Sequence, residues 1–199
     1  MRIILADINS ELVGAWRQSF VSSEDVEVIE GDITQIKCDA IISPANSFGF
    51  MDGGVDYALS VRFGWDLEKK LQQMIRELPE GELLVGQALI METNDAEIPF
   101  LISAPTMRIP TNFNIDTSVN AYLAMKAILI KALNDERISS VAIPGLCTGV
   151  GGMKAETSAK QMLQAYREIV LGERTNFATF GEAQKYHWHL NKDGMIWTH

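Results

Sequence analysis

At 199 residues the chain has the length of one domain, or of one domain with a short appendage. Its hydrophobic share of 47% and charged share of 22% suit a globular protein that buries a core without disulfide or metal staples. The net charge of −9 argues against broad binding to nucleic acid or anionic membrane, which need cationic surface. A small anionic ligand stays open, because backbone N–H groups hold phosphate without any Lys or Arg.

Apolar runs that read as buried strands alternate with segments of helical spacing. Arg2 to Ala6 reads as a strand, and Glu11 to Phe20 as a helix with Leu12, Ala15, Trp16 and Phe20 on one face. Val26 to Ile29 and Asp39 to Ile42 are short strands separated by Glu30 to Cys38. From Ser43 to Gly54 the chain turns loop-like, with Pro44, Asn46, Gly49, Gly53 and Gly54. A helical pattern follows, broken at Gly64, with Asp66 placed as an N-cap for its second half. Ala88 to Met91 and Phe100 to Ser103 are strand candidates, and a polar loop from Pro105 to Asn114 leads to a helix over Asp116 to Asn134. Ser139 to Ile143 is the last strand, Pro144 to Gly152 a second glycine-rich loop, and Lys154 to Val170 a helix. The alternation predicts an α/β domain with a mixed, largely parallel central sheet covered on both faces. The aromatic tail from Leu171 to His199 has no clear pattern. No segment approaches the length of a membrane span, and the N-terminal apolar run is too short for a signal peptide, so a cytoplasmic protein is expected.

Both glycine-rich loops follow an apolar strand and feed a helix, so unpaired N–H groups and the positive helix end would meet an anion there. In the first, Gly53 and Gly54 precede Val55; in the second stand Thr148, Gly149, Val150, Gly151 and Gly152. The plain alternative is that each loop is an ordinary turn before a helix. Neither matches a P-loop, and RIILADINSEL opens like a dinucleotide-binding unit but lacks its glycine fingerprint.

Taken in order, these segments resemble the macro domain family. Gly31-Asp32-Ile33 followed by DAIISPAN (Asp39 to Asn46) is similar to its G-D-I-T…V-D-A-I-V-N-A-A-N signature. Gly53-Gly54-Val55-Asp56 is similar to the end of its G-G-G-G-V-D stretch, and Ala142-Ile143-Pro144 through Cys147-Thr148-Gly149 to its F-P-x-I-S-T-G strand and loop. The resemblance runs from about Val26 to Val170 and implies a three-layer α/β/α fold that binds ADP-ribose or an ADP-ribosylated macromolecule, with no cofactor and no metal. It suggests one macro-type domain over residues 1–171, including the N-terminal strand-helix unit, and an extension over 172–199 packed on it.

By the same resemblance, Asp32 accepts from the adenine amine and Ile33 offers a nearby N–H. Gly53, Gly54 and Val55 face one side of the phosphates, and Thr148, Gly149, Val150 and Gly151 the other, while Asn46 bonds the distal ribose. The alternatives are a turn-capping role for Asp32 and a turn role for Asn46. In macro domains that hydrolyse ADP-ribosyl bonds an aspartate directly after G-G-V is associated with catalysis, which nominates Asp56, with Asn46, for activating a water. An acid in the first helical turn is also stabilising on its own by about 0.3–1 kcal/mol. Two departures stand out: Met51-Asp52 replaces two glycines of the first loop, and Gly151 stands where such hydrolases often carry an aromatic ring. Three readings follow: a hydrolase of ADP-ribosyl or O-acetyl-ADP-ribose bonds, a noncatalytic reader, and a macro-fold protein repurposed for structural contacts.

Other residues read more plainly. Cys38 and Cys147 lack metal-like spacing and read as reduced thiols, one buried disulfide being the alternative; Cys147 reads as packing behind its loop rather than as a nucleophile. His187 and His189 flank Trp188 and would share a strand face, a pair without a third ligand. Arg108 reads as a solvated loop arginine, the alternative being that it reaches a phosphate or an incoming partner.

Overall fold

The computed structural model describes residues 1–193 and 195. In chain order it contains β1 (Arg2–Asp7), α1 (Ser10–Ser19), β2 (Val26–Glu30), a 3-10 turn (Ile33–Gln35), β3 (Ala40–Ser43), α2 (Gly54–Phe63) and α3 (Asp66–Arg76). Then follow β4 (Leu89–Glu92), β5 (Phe100–Ser103), α4 (Asn120–Leu133), β6 (Ser140–Ile143), α5 (Ala155–Ile169) and α6 (Phe180–Leu190).

The strands form one sheet of six in the order β2-β1-β6-β3-β5-β4, all parallel except β4 at the edge. Strands covered on both faces read as continuous apolar runs, and β1 shows why. Ile3 and Leu5 enter the core beneath α1, α4 and α5, while Ile4 and Ala6 enter the opposite core beneath α2 and α3. The result is three layers, with α5 packed between α1 and α4 on one side. From β1 the chain steps outward to β2; from β3 it steps outward to β5 and β4 before α4 returns it to β6 at the centre. The connections from β1 and β3 therefore run to opposite sides of β6, a topology that usually places a ligand at the carboxyl ends of these strands.

Local chemistry sets the boundaries. Asn9 caps α1, its Oδ1 accepting from the N–H groups of Glu11 and Leu12 at 3.0 and 3.3 Å. Gly64 ends α2 with φ of 90°, a conformation that favours glycine. Asp66 is the first residue of α3 rather than its cap; Trp65 holds the cap position without a side-chain bond. Helix α4 starts at Asn120, later than the expected Asp116. Residues 116–119 are drawn out of the helix because Ser118 Oγ donates to Ile115 O at 2.7 Å and Asn120 Nδ2 donates to Thr106 O at 2.8 Å.

The tail forms a helix, which corrects the strand reading of His187 and His189. Thr179 caps it by accepting from the Glu182 N–H at 3.3 Å. Residues two apart on a helix diverge by about 200°, so the histidines face different sides and make no metal pair. Tyr186 of α6 meets Tyr122 of α4 edge-on at 6.5 Å, and Leu190 is buried. Beneath them Glu168 of α5 accepts from Tyr122 Oη at 2.8 Å, Lys126 Nζ at 2.9 Å, Gln164 Nε2 at 3.2 Å and Tyr186 Oη. Burial alone would raise its carboxyl pKa, but these donors hold it below the usual value. No described helix is long and apolar enough to cross a membrane.

Candidate functional site

Strands β3 and β6 are parallel neighbours, so the loops 44–53 and 144–154 leave the sheet side by side. The first loop is organised by Asn46. Its Oδ1 accepts from the N–H groups of Phe48 and Phe50 at 3.1 and 3.3 Å, and its Nδ2 donates to Phe50 O at 2.7 Å. Most of that amide is thus spent on the loop itself, leaving one Nδ2 hydrogen. The Met51 N–H donates to Glu68 Oε2 at 2.6 Å, and Met51 O accepts from Ser60 Oγ at 2.9 Å, which moors the loop to α3 and α2. Helix α2 then opens with no side-chain cap at Gly53. Its first intrahelical bond is from Tyr57 N–H to Gly53 O, so the N–H groups of Gly54, Val55 and Asp56 have no partner among the described residues.

The second loop repeats the pattern without a tight helix start. Gly152 N–H donates to Gly149 O and Met153 N–H to Cys147 O, closing the loop on itself. The N–H groups of Thr148, Gly149, Val150 and Gly151 have no partner among the described residues. Side chains added at Gly53, Gly54 or Gly149 would project into open space. Gly151 differs: a Cβ there would lie 2.6 Å from Ile115 Cγ2 and 2.7 Å from Cys147 O, so the expected aromatic position is sterically closed. Cys147 holds a φ of 65°, unusual for a side-chain-bearing residue, and its buried thiol is pushed up to about 12 by desolvation. That thiol is inert packing behind the loop, and Cys38 is likewise a buried free thiol.

Asp56 lies at the first turn of α2 but faces inward, with 9% of its surface exposed. Its Oδ1 accepts from Ser43 Oγ at 2.6 Å, at the last residue of β3. Burial pushes the carboxyl up to about 7; the Asp52 charge adds to the rise and the Ser43 bond opposes it.

Asp32 opens the 3-10 turn after β2. Its Oδ1 accepts from Thr34 N–H at 2.9 Å and Thr34 Oγ1 at 2.8 Å, and the Thr34 hydroxyl, with lesser help from Arg62, holds its pKa below the usual value. Asp32 is thus an exposed carboxylate, and the adjacent Ile33 N–H has no partner among the described residues. The cap role commits Asp32 Oδ1 to Thr34.

Several contributors escaped the sequence reading. Asp7 ends β1, and its Oδ2 accepts from Gly145 N–H at 3.1 Å, anchoring the second loop to the strand beside it. A Cβ at Gly145 would come within 2.9 Å of that same oxygen and 2.6 Å of Leu12, which explains the glycine. An acid ending an apolar strand was the available signal. A third loop, from β5, lies against both others. Thr106 N–H donates to Ala45 O and Ser47 N–H to Arg108 O, both at 3.1 Å, while Ile115 touches Gly151. Arg108 pairs with Glu82 at 2.8 Å and covers the Phe48 ring at 4.9 Å, so it is not merely solvated.

Comparison with known proteins agrees with this fold. Residues 42–162 match the family model described as the Macro domain. An uncharacterised protein of Aquifex aeolicus is 33% identical over 145 residues, covering 73% of this chain and 82% of its own. The Oceanobacillus iheyensis macrodomain solved with ADP is 25% identical with a TM-score of 0.62, over 72% of this chain and 75% of that one. A variant of the same macrodomain solved with ADPR gives 25% identity and a TM-score of 0.60, over 73% and 77%. The chain belongs to the macro domain family.

Proposed function

We propose that this protein binds ADP-ribose, free or attached to a macromolecule, in the crevice at the carboxyl ends of β3 and β6. One observation carries the reading: two sets of unpartnered backbone N–H groups, on Gly54 to Asp56 and on Thr148 to Gly151, leave adjacent parallel strands. Such groups suit the two phosphates of a diphosphate and need no cationic side chain, in keeping with an acidic chain. Asp32 and the Ile33 N–H supply the acceptor and donor that an adenine edge requires, and the single spare hydrogen of Asn46 is left for the distal ribose. Binding of ADP and ADPR by the Oceanobacillus iheyensis macrodomain supports the assignment.

Gly149 gives the cleanest test, because its Cβ direction is open and its φ is not left-handed, so the empty fold tolerates a side chain. Gly149→Val should melt as the parent does and lose ADP-ribose affinity by about tenfold or more in calorimetry. Retained affinity in a folded variant would make the loop an ordinary turn.

Hydrolysis of an ADP-ribosyl bond is the second reading, and Asp56 favours it. A carboxyl raised to about 7 is matched to proton abstraction near neutral pH. Against a direct role, the group faces Ser43 and is almost wholly buried. Asp56→Asn assayed on ADP-ribosylated protein and on O-acetyl-ADP-ribose decides the matter. A loss of about a hundredfold with binding retained supports catalysis, and absent turnover in the parent makes the protein a reader.

A further inference from the structure

We propose that Arg62, near the carboxyl end of α2, is a positioning residue for adenine recognition, acting through the 3-10 turn that carries Asp32 and Ile33. The inference rests on the adenine assignment above and goes beyond it.

The problem Arg62 solves comes from the topology. Residues 31–39 must carry the chain from the carboxyl end of β2 to the start of β3, past β1 and β6. That crossing spans three strand spacings, about 14 Å, in a segment whose only regular structure is one three-residue turn. A turn of that kind contributes little rigidity of its own. The Thr34 bonds to Asp32 are internal to the turn and fix its shape, but they do not fix where it sits.

Arg62 supplies an outside reference. Its Nη1 donates to Thr34 O. On its other side the guanidinium grips Asp95 in the β4–β5 connection, through Nε at 3.2 Å from Oδ2 and Nη2 at 3.2 and 3.1 Å from the two oxygens. Nη2 also reaches Glu97 Oε2 at 3.4 Å. Asp95 is itself held, because its Oδ1 accepts from the N–H groups of Glu97 and Ile98 at 2.8 and 3.0 Å. The arginine side chain is 19% exposed, so its fork is aimed by these partners rather than by solvent. A planar fork held in this way presents one N–H direction to Thr34 O. The Thr34 carbonyl, the Asp32 carboxylate bonded to Thr34, and the unpartnered Ile33 N–H then move as a unit with the helix.

The same helix presents the Gly54 and Val55 N–H groups at its other end, eight residues and about 12 Å from Arg62. Arg62 thereby sets the spacing between the adenine edge and the phosphates. Its charge adds a smaller effect, helping to keep Asp32 ionised.

The test compares ADP-ribose with inosine diphosphate ribose, which replaces the exocyclic amine by a carbonyl and places a hydrogen on the neighbouring ring nitrogen. An acceptor at Asp32 and a donor at Ile33 both mismatch that edge, so the parent should prefer ADP-ribose by about tenfold or more. Arg62→Met removes the donors and keeps the packing stem. It should lose about tenfold in ADP-ribose affinity while inosine diphosphate ribose affinity stays within about twofold, collapsing the ratio. Asp95→Asn, which keeps an acceptor for the Glu97 and Ile98 N–H groups, should reduce the ratio partway and provides the same measurement if Arg62→Met does not fold. A merely structural role would lower both affinities together and leave the ratio intact, and that result overturns the proposal. A parent that does not distinguish the two ligands refutes the adenine assignment itself, and this inference falls with it.

Discussion

Asp56 offers the sharpest physical prediction, because its burial reverses the sign expected from its place in a helix. An exposed acid in the first turn would stabilise α2 by about 0.3–1 kcal/mol. Asp56 instead faces Ser43 inside the fold, and desolvation raises its pKa from 3.8 to about 7. The unfolded chain releases the proton near the ordinary value, so between those two pH values the native state binds more protons than the unfolded one. Stability from this group is therefore fully present below pH 4, falls as pH rises toward 7, and is lost above it. At about 1.4 kcal/mol per pH unit the full span corresponds to about 4 kcal/mol, and local relaxation and water entry reduce that to about 2. Asp56→Asn keeps an oxygen acceptor for Ser43 and removes the ionisation. The variant should gain on the parent by about 2–4 kcal/mol between pH 4 and pH 8, read from urea unfolding with equal m-values. A difference between variant and parent that does not change with pH, or that shrinks as pH rises, would refute the burial argument.

Asp32→Ala should weaken ADP-ribose binding by about tenfold or more, since a bond to a charged acceptor is lost. The fold should survive at a cost of about 1 kcal/mol for the lost cap, seen by calorimetry and thermal melting together. Glu168→Ala should destabilise the protein by about 2 kcal/mol or more, because the Tyr122, Lys126 and Tyr186 donors lose a shared charged acceptor. Its distinctive sign would be faster amide exchange in Phe180–Leu190 than in α4, and equal protection of the two helices would contradict the clamp.

The sheet and its flanking helices were legible because β1, β3, β5 and β6 are short, almost purely apolar runs bounded by polar or turn residues. Buried parallel strands leave that signature directly. The two glycine-rich loops were legible for a related reason: glycines between an apolar strand and a helix leave backbone donors without helical partners. What escaped was long-range. Nothing in the sequence couples Arg62 to Thr34, Asp95 and Glu97, which stand 28 to 35 positions away. The inward turn of Asp56 depends on Ser43, whose neighbour Ser103 on β5 is set by strand register. The crowding at Gly151 arises from the Cys147 carbonyl and from Ile115, which falls between the polar loop and the helix read from the sequence. The histidines failed because Trp188 and its neighbours were read by alternation, whereas Thr179 and Glu182 had already begun a helix.

In the proposed binding mode, unpartnered backbone donors at the ends of β3 and β6 hold a diphosphate while the turn after β2 holds the base. Amide chemical shifts report those donors one by one. Titrating ADP-ribose into isotope-labelled protein should move the Gly54, Val55, Thr148, Gly149, Val150 and Gly151 signals, together with Ile33, and leave the exposed face of α6 unchanged. A titration to millimolar ligand in which those amides stay still, or in which the shifts lie elsewhere, would contradict this binding mode.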